Sequence, residues 1–109
     1  LETVFVELKS KADPEEVKKV MRSFRGRPQE LKLPTAPEQP IIVRDEPDRP
    51  QPRLDRYAGS GMSIVVGRIR RDPVLENGIK FLVLGHNTIR GAAGNAVLNA
   101  ELAVEEGYV

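Results

Sequence analysis

Two apolar segments separated by a short turn sequence constrain the fold of this chain more than any other feature. Residues 62–70, MSIVVGRIR, and residues 79–85, IKFLVLG, both have the composition and apolar pattern of a β-strand. The eight residues between them, RDPVLENG, include an Asp-Pro and an Asn-Gly pair, which are typical of turns. We therefore predict that the two strands pair as an antiparallel hairpin.

The beginning of the chain adds a strand and a helix. Apolar and mixed side chains alternate over residues 3–8, which predicts a strand. Asp13 and Pro14 are suited to the cap and the first position of a helix, and Gly26 is suited to follow its end. Helical spacing predicts that one face of this helix is apolar, with Val17, Val20, Met21 and Phe24.

A proline-rich segment separates this helix from the hairpin. Seven prolines lie between Pro28 and Pro52, which predicts an extended loop, and IIV at 41–43 predicts a brief edge strand within it. Between Arg44 and Arg56 four arginines balance four acidic residues, so we expect an internally ion-paired loop and not a phosphate clamp. The sequence RIRR at 68–71 is not expected to form one anion-binding patch, because alternation divides its arginines between both faces of a strand.

Composition narrows the possible functions. The 109 residues carry 17 basic and 16 acidic side chains with interspersed signs, so no nucleic-acid partner is expected. The chain has no cysteine and a single histidine, which leaves no thiolate nucleophile and does not favour a metal site. Its longest apolar run, FLVL at 81–84, is too short to span a membrane, so we expect a soluble, cytoplasmic protein. The chain is also expected to be part of something longer.

The last segment predicts one long helix built mainly from small side chains. Asn87 or Thr88 is expected to cap it, and Gly91 and Gly94 fall in its first two turns, where each costs about 1 kcal/mol of helix propensity relative to alanine. Its mostly small apolar stripe comprises Ile89, Ala92, Ala93, Ala96, Val97, Ala100, Ala103 and Val104.

Two interpretations of these small residues stay open. They can let the helix pack tightly on a neighbouring layer, or they can let a ligand approach the N–H groups and partial positive charge at the helix start. His86 precedes the helix in a strand-to-helix connection. For this histidine we expect a structural or capping role and not a catalytic one.

Three stretches resemble one enzyme family. RPQPRLDR at 49–56, VGRIRRD at 66–72 and GHNTIRGAAGNAVLNAEL at 85–102 resemble the C-terminal end of aspartate-semialdehyde dehydrogenases, in particular the archaeal and fungal branch. The earlier stretches TVFVELK and ELKLPTAPEQPIIV fit this family more loosely. The resemblance covers nearly the whole chain and is specific from Asp48 onward.

The resemblance implies part of a two-domain, homo-oligomeric enzyme, a dimer or a tetramer. In amino-acid biosynthesis the family reduces aspartyl 4-phosphate with NADPH to aspartate semialdehyde and phosphate, in a reversible reaction. Its catalytic cysteine and histidine belong to upstream sequence, so no catalytic residue is assigned here. The expected fold is α+β: a mixed or antiparallel sheet of about four strands, one covering helix and a long C-terminal helix. Residues 1–85 would belong to the substrate and dimerisation domain, and 86–109 would pack on the nucleotide-binding domain.

The resemblance also implies a cofactor contact. The family's Gly-Ala-Ala-x-Asn stretch borders the nicotinamide end of NADP, and here it matches Gly91, Ala92, Ala93, Gly94 and Asn95. Small residues admit a ribose and a ring, and the Asn95 amide can both donate and accept hydrogen bonds. The alternative for Asn95 is a solvent-facing helix residue. Most of the cofactor, including the group that distinguishes NADP from NAD, would lie on the other domain.

Two other classes of function remain open at this point. The chain could come from a related acyl reductase, such as a malonyl-coenzyme A reductase or an N-acetyl-glutamyl-phosphate reductase. It could also be a non-catalytic interaction module that uses the same domain. A glycine-rich nucleotide loop and a cysteine in the preceding sequence would indicate an enzyme.

Overall fold

The chain forms a four-stranded mixed sheet. The structure is a computed structural model that describes residues 1–109. The strands lie in the order β1-β4-β3-β2, where β1 and β4, and β4 and β3, are antiparallel, and β2 is parallel to β3. Their bounds are β1 Glu2–Glu7, β2 Ile41–Arg44, β3 Ile64–Arg71 and β4 Gly78–Leu84. The predicted hairpin, edge strand and α+β class are confirmed.

Four α-helical segments and a π-helical turn accompany the sheet. They are α1 Pro14–Ser23, α2 Arg27–Glu30, α3 Pro52–Asp55, the π-helical turn Ile89–Ala93 and α4 Gly94–Glu105. No helix among them combines the length and apolar character needed to cross a bilayer.

Helix α1 begins at its predicted cap but ends earlier than predicted, because Ser23 is its last residue and Gly26 instead caps the start of α2. The Asp13 carboxylate accepts a hydrogen bond from the Glu15 N–H at 2.9 Å, and Glu16 accepts one from the Asp13 N–H at 3.2 Å. This reciprocal cap satisfies backbone donors that the first turn leaves free. The expectation that residues 28–52 outside the 41–43 strand are extended loop is wrong at both ends, because Pro28 and Pro52 each lie in the first turn of a one-turn helix, where proline is well tolerated.

The main core lies between the sheet and α1. Its buried centre is formed by Val66 and Ile69 of β3 and Ile79 of β4. Val17 and Met21 of α1 pack against this centre. These two residues cover one side of the sheet, as the spacing predicts, whereas Val20 and Phe24 of the predicted apolar face are exposed.

A β-bulge in β3 breaks the regular alternation on which the arginine prediction relied. Arg68 and Ile69 lie together opposite one residue of β4, and Arg68 has a positive φ of 57°. The extra residue turns Ile69 onto the same side as Val66, into the core. The arginines still form no patch, since Arg68 donates to the Pro47 carbonyl at 2.8 Å and Arg71 donates to the Ala12 carbonyl at 3.2 Å.

The loop around α3 covers half of the other face of the sheet, and a buried carboxylate holds this loop together. Asp55 is fully buried and accepts two hydrogen bonds from Arg49, at 2.8 and 2.5 Å, and one from the Gln51 N–H at 2.7 Å. Arg44 of β2 lies 3.3 Å from the same carboxylate. The expected internal pairing of this loop is confirmed.

The loop lies directly on the sheet at Gly67. A Cβ at Gly67 would come within 2.7 Å of the Pro50 ring, so only glycine admits this approach. The β1–β4 half of the same face has no such cover. There the Phe5 side chain is 57% exposed, and the Lys80 ammonium lies 5.9 Å from its ring.

We predict that Asp55→Asn lowers the free energy of unfolding by about 3 kcal/mol, because the substitution leaves the facing guanidinium groups without their counter-charge. Chemical denaturation at neutral pH measures the change. Asp48→Asn is the matched control, since Asp48 contacts only the Gln51 side chain at the surface. An equal loss in both variants would contradict a special role for the buried carboxylate.

Acid titration tests the same ion pair without a mutation. The pKa of Asp55 is lowered to about 2, first by the Arg49 hydrogen bonds, against the opposing effect of burial, and then by the Gln51 N–H. Because the pKa of Asp55 is lower in the folded than in the unfolded state, the ionised carboxylate stabilises the fold at pH values above about 4. This stability is lost as the pH falls from about 4 towards 2. We expect Asp55 to contribute about 2 kcal/mol to this loss, and Asp55→Asn to abolish its part of it.

Candidate functional site

The residues predicted to contact a cofactor begin in the π-helical turn. Gly91, Ala92 and Ala93 belong to this turn, and Gly94 and Asn95 open α4. The Gly91 N–H donates to the His86 carbonyl at 2.9 Å, and the Ala93 N–H donates to the Thr88 carbonyl at 3.1 Å. Both bonds span five residues, as in a π-helix, and π-helical turns occur frequently at functional sites.

The cap of this turn differs from the predicted one. Thr88 occupies the position before the turn, but its side chain makes no capping hydrogen bond, and neither does that of Asn87. The His86 ring caps the turn instead: its Nδ1 accepts hydrogen bonds from the Thr88 N–H at 3.3 Å and the Ile89 N–H at 3.2 Å. The capping role expected for His86 is therefore confirmed.

The small-residue stripe of α4 faces outward in this chain. Its exposed members are Ala92, Ala93, Ala96, Val97, Ala100 and Val104. The helix packs inward mainly through Leu98, which is buried against Leu33 and Met62, and Leu102. Ile89 is the one member of the stripe that packs against this cluster. The apolar surface of the six exposed members is available to another domain or ligand.

The two glycines of this segment have different surroundings. A Cβ at Gly94 would lie 2.5 Å from the Met62 sulfur and 2.9 Å from the Ile89 carbonyl oxygen, both closer than real contacts. Gly94 therefore lets the start of α4 approach Met62, as the packing interpretation requires. Gly91 is exposed, and a Cβ there would meet the His86 carbonyl oxygen at an ordinary 3.5 Å.

The far end of α4 is fixed by polar contacts to the segment after α1. The Glu101 carboxylate accepts hydrogen bonds from the Thr35 N–H at 3.0 Å and the Thr35 hydroxyl at 2.5 Å. Glu106 forms an ion pair with Arg27. The helix is thus held at its start by His86 and at its end by α2 and the loop that follows α2.

A surface cleft of about 440 Å³ borders Gly94 and Ile89 on the side of the 34–38 loop. Glu38 is the one charged residue in its lining, so the cleft offers no cation to hold a phosphate. The lining of this cleft therefore suits an uncharged group better than an anionic one.

Sequence comparison assigns this chain to a family. Residues 1–90 match the family described as "Semialdehyde dehydrogenase, dimerisation domain", and the chain belongs to this family.

Among its relatives, the aspartate-semialdehyde dehydrogenase of Archaeoglobus fulgidus is 58% identical over 105 residues, which cover 96% of this chain and 29% of the relative. The NADP-dependent malonyl-CoA reductase of Metallosphaera sedula is 53% identical over 110 residues, covering 99% of this chain and 30% of the relative.

A solved structure has the same fold. The chain matches a crystal structure of aspartate semialdehyde dehydrogenase with NADP from Candida albicans with a TM-score of 0.80 and 42% identity. The match covers 94% of this chain and 28% of that structure's chain. The chain thus spans under a third of the length of the relatives it matches. The matches confirm the fold and the family that the sequence predicts.

We predict that Gly94→Ala lowers the free energy of unfolding by about 1–3 kcal/mol, because its Cβ overpacks the contact with Met62 and the Ile89 carbonyl. Gly91→Ala is the matched control and should be neutral or stabilising by up to about 1 kcal/mol, since alanine is the better helix former. Thermal and denaturant unfolding of both variants measure the difference. Equal destabilisation by the two substitutions would contradict the packing role of Gly94.

Proposed function

We propose that this chain is the C-terminal part of an NADP-dependent aspartate-semialdehyde dehydrogenase. The 58% identity to the archaeal enzyme over nearly the whole chain carries the proposal, and the fold match to the fungal enzyme supports it. The reaction reduces aspartyl 4-phosphate with a hydride from NADPH and one proton, giving aspartate semialdehyde, phosphate and NADP⁺. This chain contributes a dimerisation surface and one border of the cofactor site.

The start of α4 fits the nicotinamide end of NADP. Gly91, Ala92 and Ala93 are exposed and carry at most a methyl group, so their surface can be approached closely by a flat ring. Asn95 is half-buried at the edge of this surface, where its amide can orient a carboxamide. When bound, NADPH supplies the hydride, and these residues bind and orient its ring. The open small-residue stripe of α4 packs on the nucleotide-binding domain.

A direct assay tests the activity. The full-length protein should form NADPH from aspartate semialdehyde, phosphate and NADP⁺, as followed by absorbance. The isolated 109-residue chain should be inactive, because it contains no cysteine to form a thioacyl intermediate. Activity of the isolated chain would overturn the assignment of the acyl chemistry to the rest of the enzyme.

A second candidate is a malonyl-CoA reductase, favoured by the 53% identity to the Metallosphaera sedula enzyme. Both reactions reduce an activated acyl group to an aldehyde, and the residues of this chain do not select between the acyl groups. The two candidates are distinguished by assaying the full-length protein both with malonyl-CoA and NADPH and with aspartate semialdehyde, phosphate and NADP⁺. Turnover of malonyl-CoA alone would replace the first proposal with the second.

We predict that Asn95→Ala in the full-length enzyme weakens the use of NADPH by about 1–3 kcal/mol, which corresponds to roughly a 5- to 150-fold rise in its KM, because a polar partner is left unmatched. Thermal stability should not fall, since alanine favours the helix. Asn99→Ala, one turn further along α4 and exposed, should leave the KM unchanged. An unchanged KM in Asn95→Ala would leave Asn95 as a surface residue.

We further propose that two copies of the chain associate through the uncovered β1–β4 half of the sheet, where Phe5 is exposed. Phe5→Glu should convert the dimer into a monomer, because burying a carboxylate at an apolar interface is unfavourable. Val20→Glu, at a similarly exposed apolar residue on α1, should leave the dimer intact. Sedimentation of both variants at micromolar concentration measures this. A monomeric wild-type protein would contradict the proposed interface.

A further inference from the structure

His86 contacts the candidate cofactor turn at two separate points. Its ring Nδ1 accepts the Thr88 and Ile89 N–H groups before the turn, and its carbonyl accepts the Gly91 N–H inside the turn. The two backbone donors held by the ring are among those that the start of a helix leaves free. One residue therefore fixes both the entry to the turn and its first π-helical hydrogen bond.

These contacts define the tautomer that the ring must adopt. Nδ1 faces two N–H donors, so it must carry a lone pair, and the ring proton must lie on Nε2. Tyr57 packs against the ring with a centroid distance of 4.9 Å, and the Arg56 guanidinium lies 5.1 Å from the Tyr57 ring. The ring thus has two separable properties, an acceptor towards the turn and a flat surface towards Tyr57.

We propose that His86 is a positioning residue, whose Nδ1 holds the turn at Gly91–Ala93 in the shape that binds the nicotinamide end of NADP. The inference rests on the function proposed above. His86 need not touch the cofactor, because its effect passes through the Thr88 and Ile89 backbone. A positioned turn presents its exposed small residues to the ring at lower entropic cost than a mobile one.

Three substitutions in the full-length enzyme separate the acceptor from the flat surface. His86→Asn keeps an acceptor near the position of Nδ1 but loses the ring. His86→Phe keeps the ring against Tyr57 but has no acceptor, and His86→Ala loses both. Loss of the acceptor removes two hydrogen bonds of modest strength, so we expect the Kd for NADPH to rise about tenfold in the Phe and Ala variants. The Asn variant should stay within about threefold of the wild type.

Two measurements are needed. Binding of NADPH, followed by its fluorescence, gives the Kd without turnover. Hydrogen exchange of the unliganded enzyme reports on the turn itself, and the Gly91 and Ala93 amides should exchange faster in the Phe and Ala variants and at the wild-type rate in Asn. Thermal unfolding of each variant identifies any variant that fails to fold. If His86→Ala does not fold, the comparison of His86→Asn with His86→Phe still tests the role of the acceptor.

The outcomes separate the two proposals. A Phe variant like the wild type, together with a weakened Asn variant, would show that packing on Tyr57 matters and would overturn the positioning role. Unchanged exchange and unchanged Kd in all three variants would also overturn it, with the dehydrogenase function intact. If the Gly91 and Ala93 amides exchange faster in the Phe and Ala variants but the wild-type protein does not bind NADPH, His86 holds the turn and the proposed function is refuted.

Discussion

The fold depends on the buried Asp55 carboxylate. The central strand β3 has to be covered on both faces, and α1 covers only one of them. On the other face, a loop rich in proline and arginine lies close to Gly67. Asp55 holds the shape of this loop by accepting hydrogen bonds from Arg49 and the Gln51 N–H, and its ion pair with Arg44 joins the loop to β2. A buried charged group thus fixes the cover of this sheet face, where small domains usually use apolar side chains. Its position under the loop explains why this loop is ordered although few apolar residues hold it.

Elements whose signals are local could be predicted from the sequence. The Asp13-Pro14 start of α1 and the turn residues between β3 and β4 act on their immediate neighbours, so no tertiary information was needed. The bulge at Arg68 could not be foreseen, because a positive φ at an arginine has no sequence signature. The one-turn helices α2 and α3 were missed because proline signals both a loop and a helix start.

The orientation of α4 shows a different limit of prediction. The alanine stripe is the strongest periodic pattern in the chain, yet α4 packs inward through Leu98 and Leu102, together with Ile89 of the preceding turn. Ile89 and Leu98 are nine residues apart, which is about two and a half turns of a regular α-helix and would place them on opposite faces. The extra residue of the π-helical turn rotates the helix so that both reach the same side. In the candidate site, the glycines could be recognised, but only the structure shows that Gly94 lies against Met62 and Gly91 against solvent.

The chain contains two apolar clusters that share no buried residue. One joins Val66, Ile69 and Ile79 under α1, and the other joins Leu33, Met62 and Leu98 under α4. Each cluster can lose its contacts while the other keeps them, so the two parts of the chain can open as separate cooperative units. The start of α4 belongs to the smaller unit, whose helix is fixed elsewhere mainly by Glu101 and Glu106. Local opening of this unit can therefore reshape the turn at Ile89–Ala93 while the sheet stays folded.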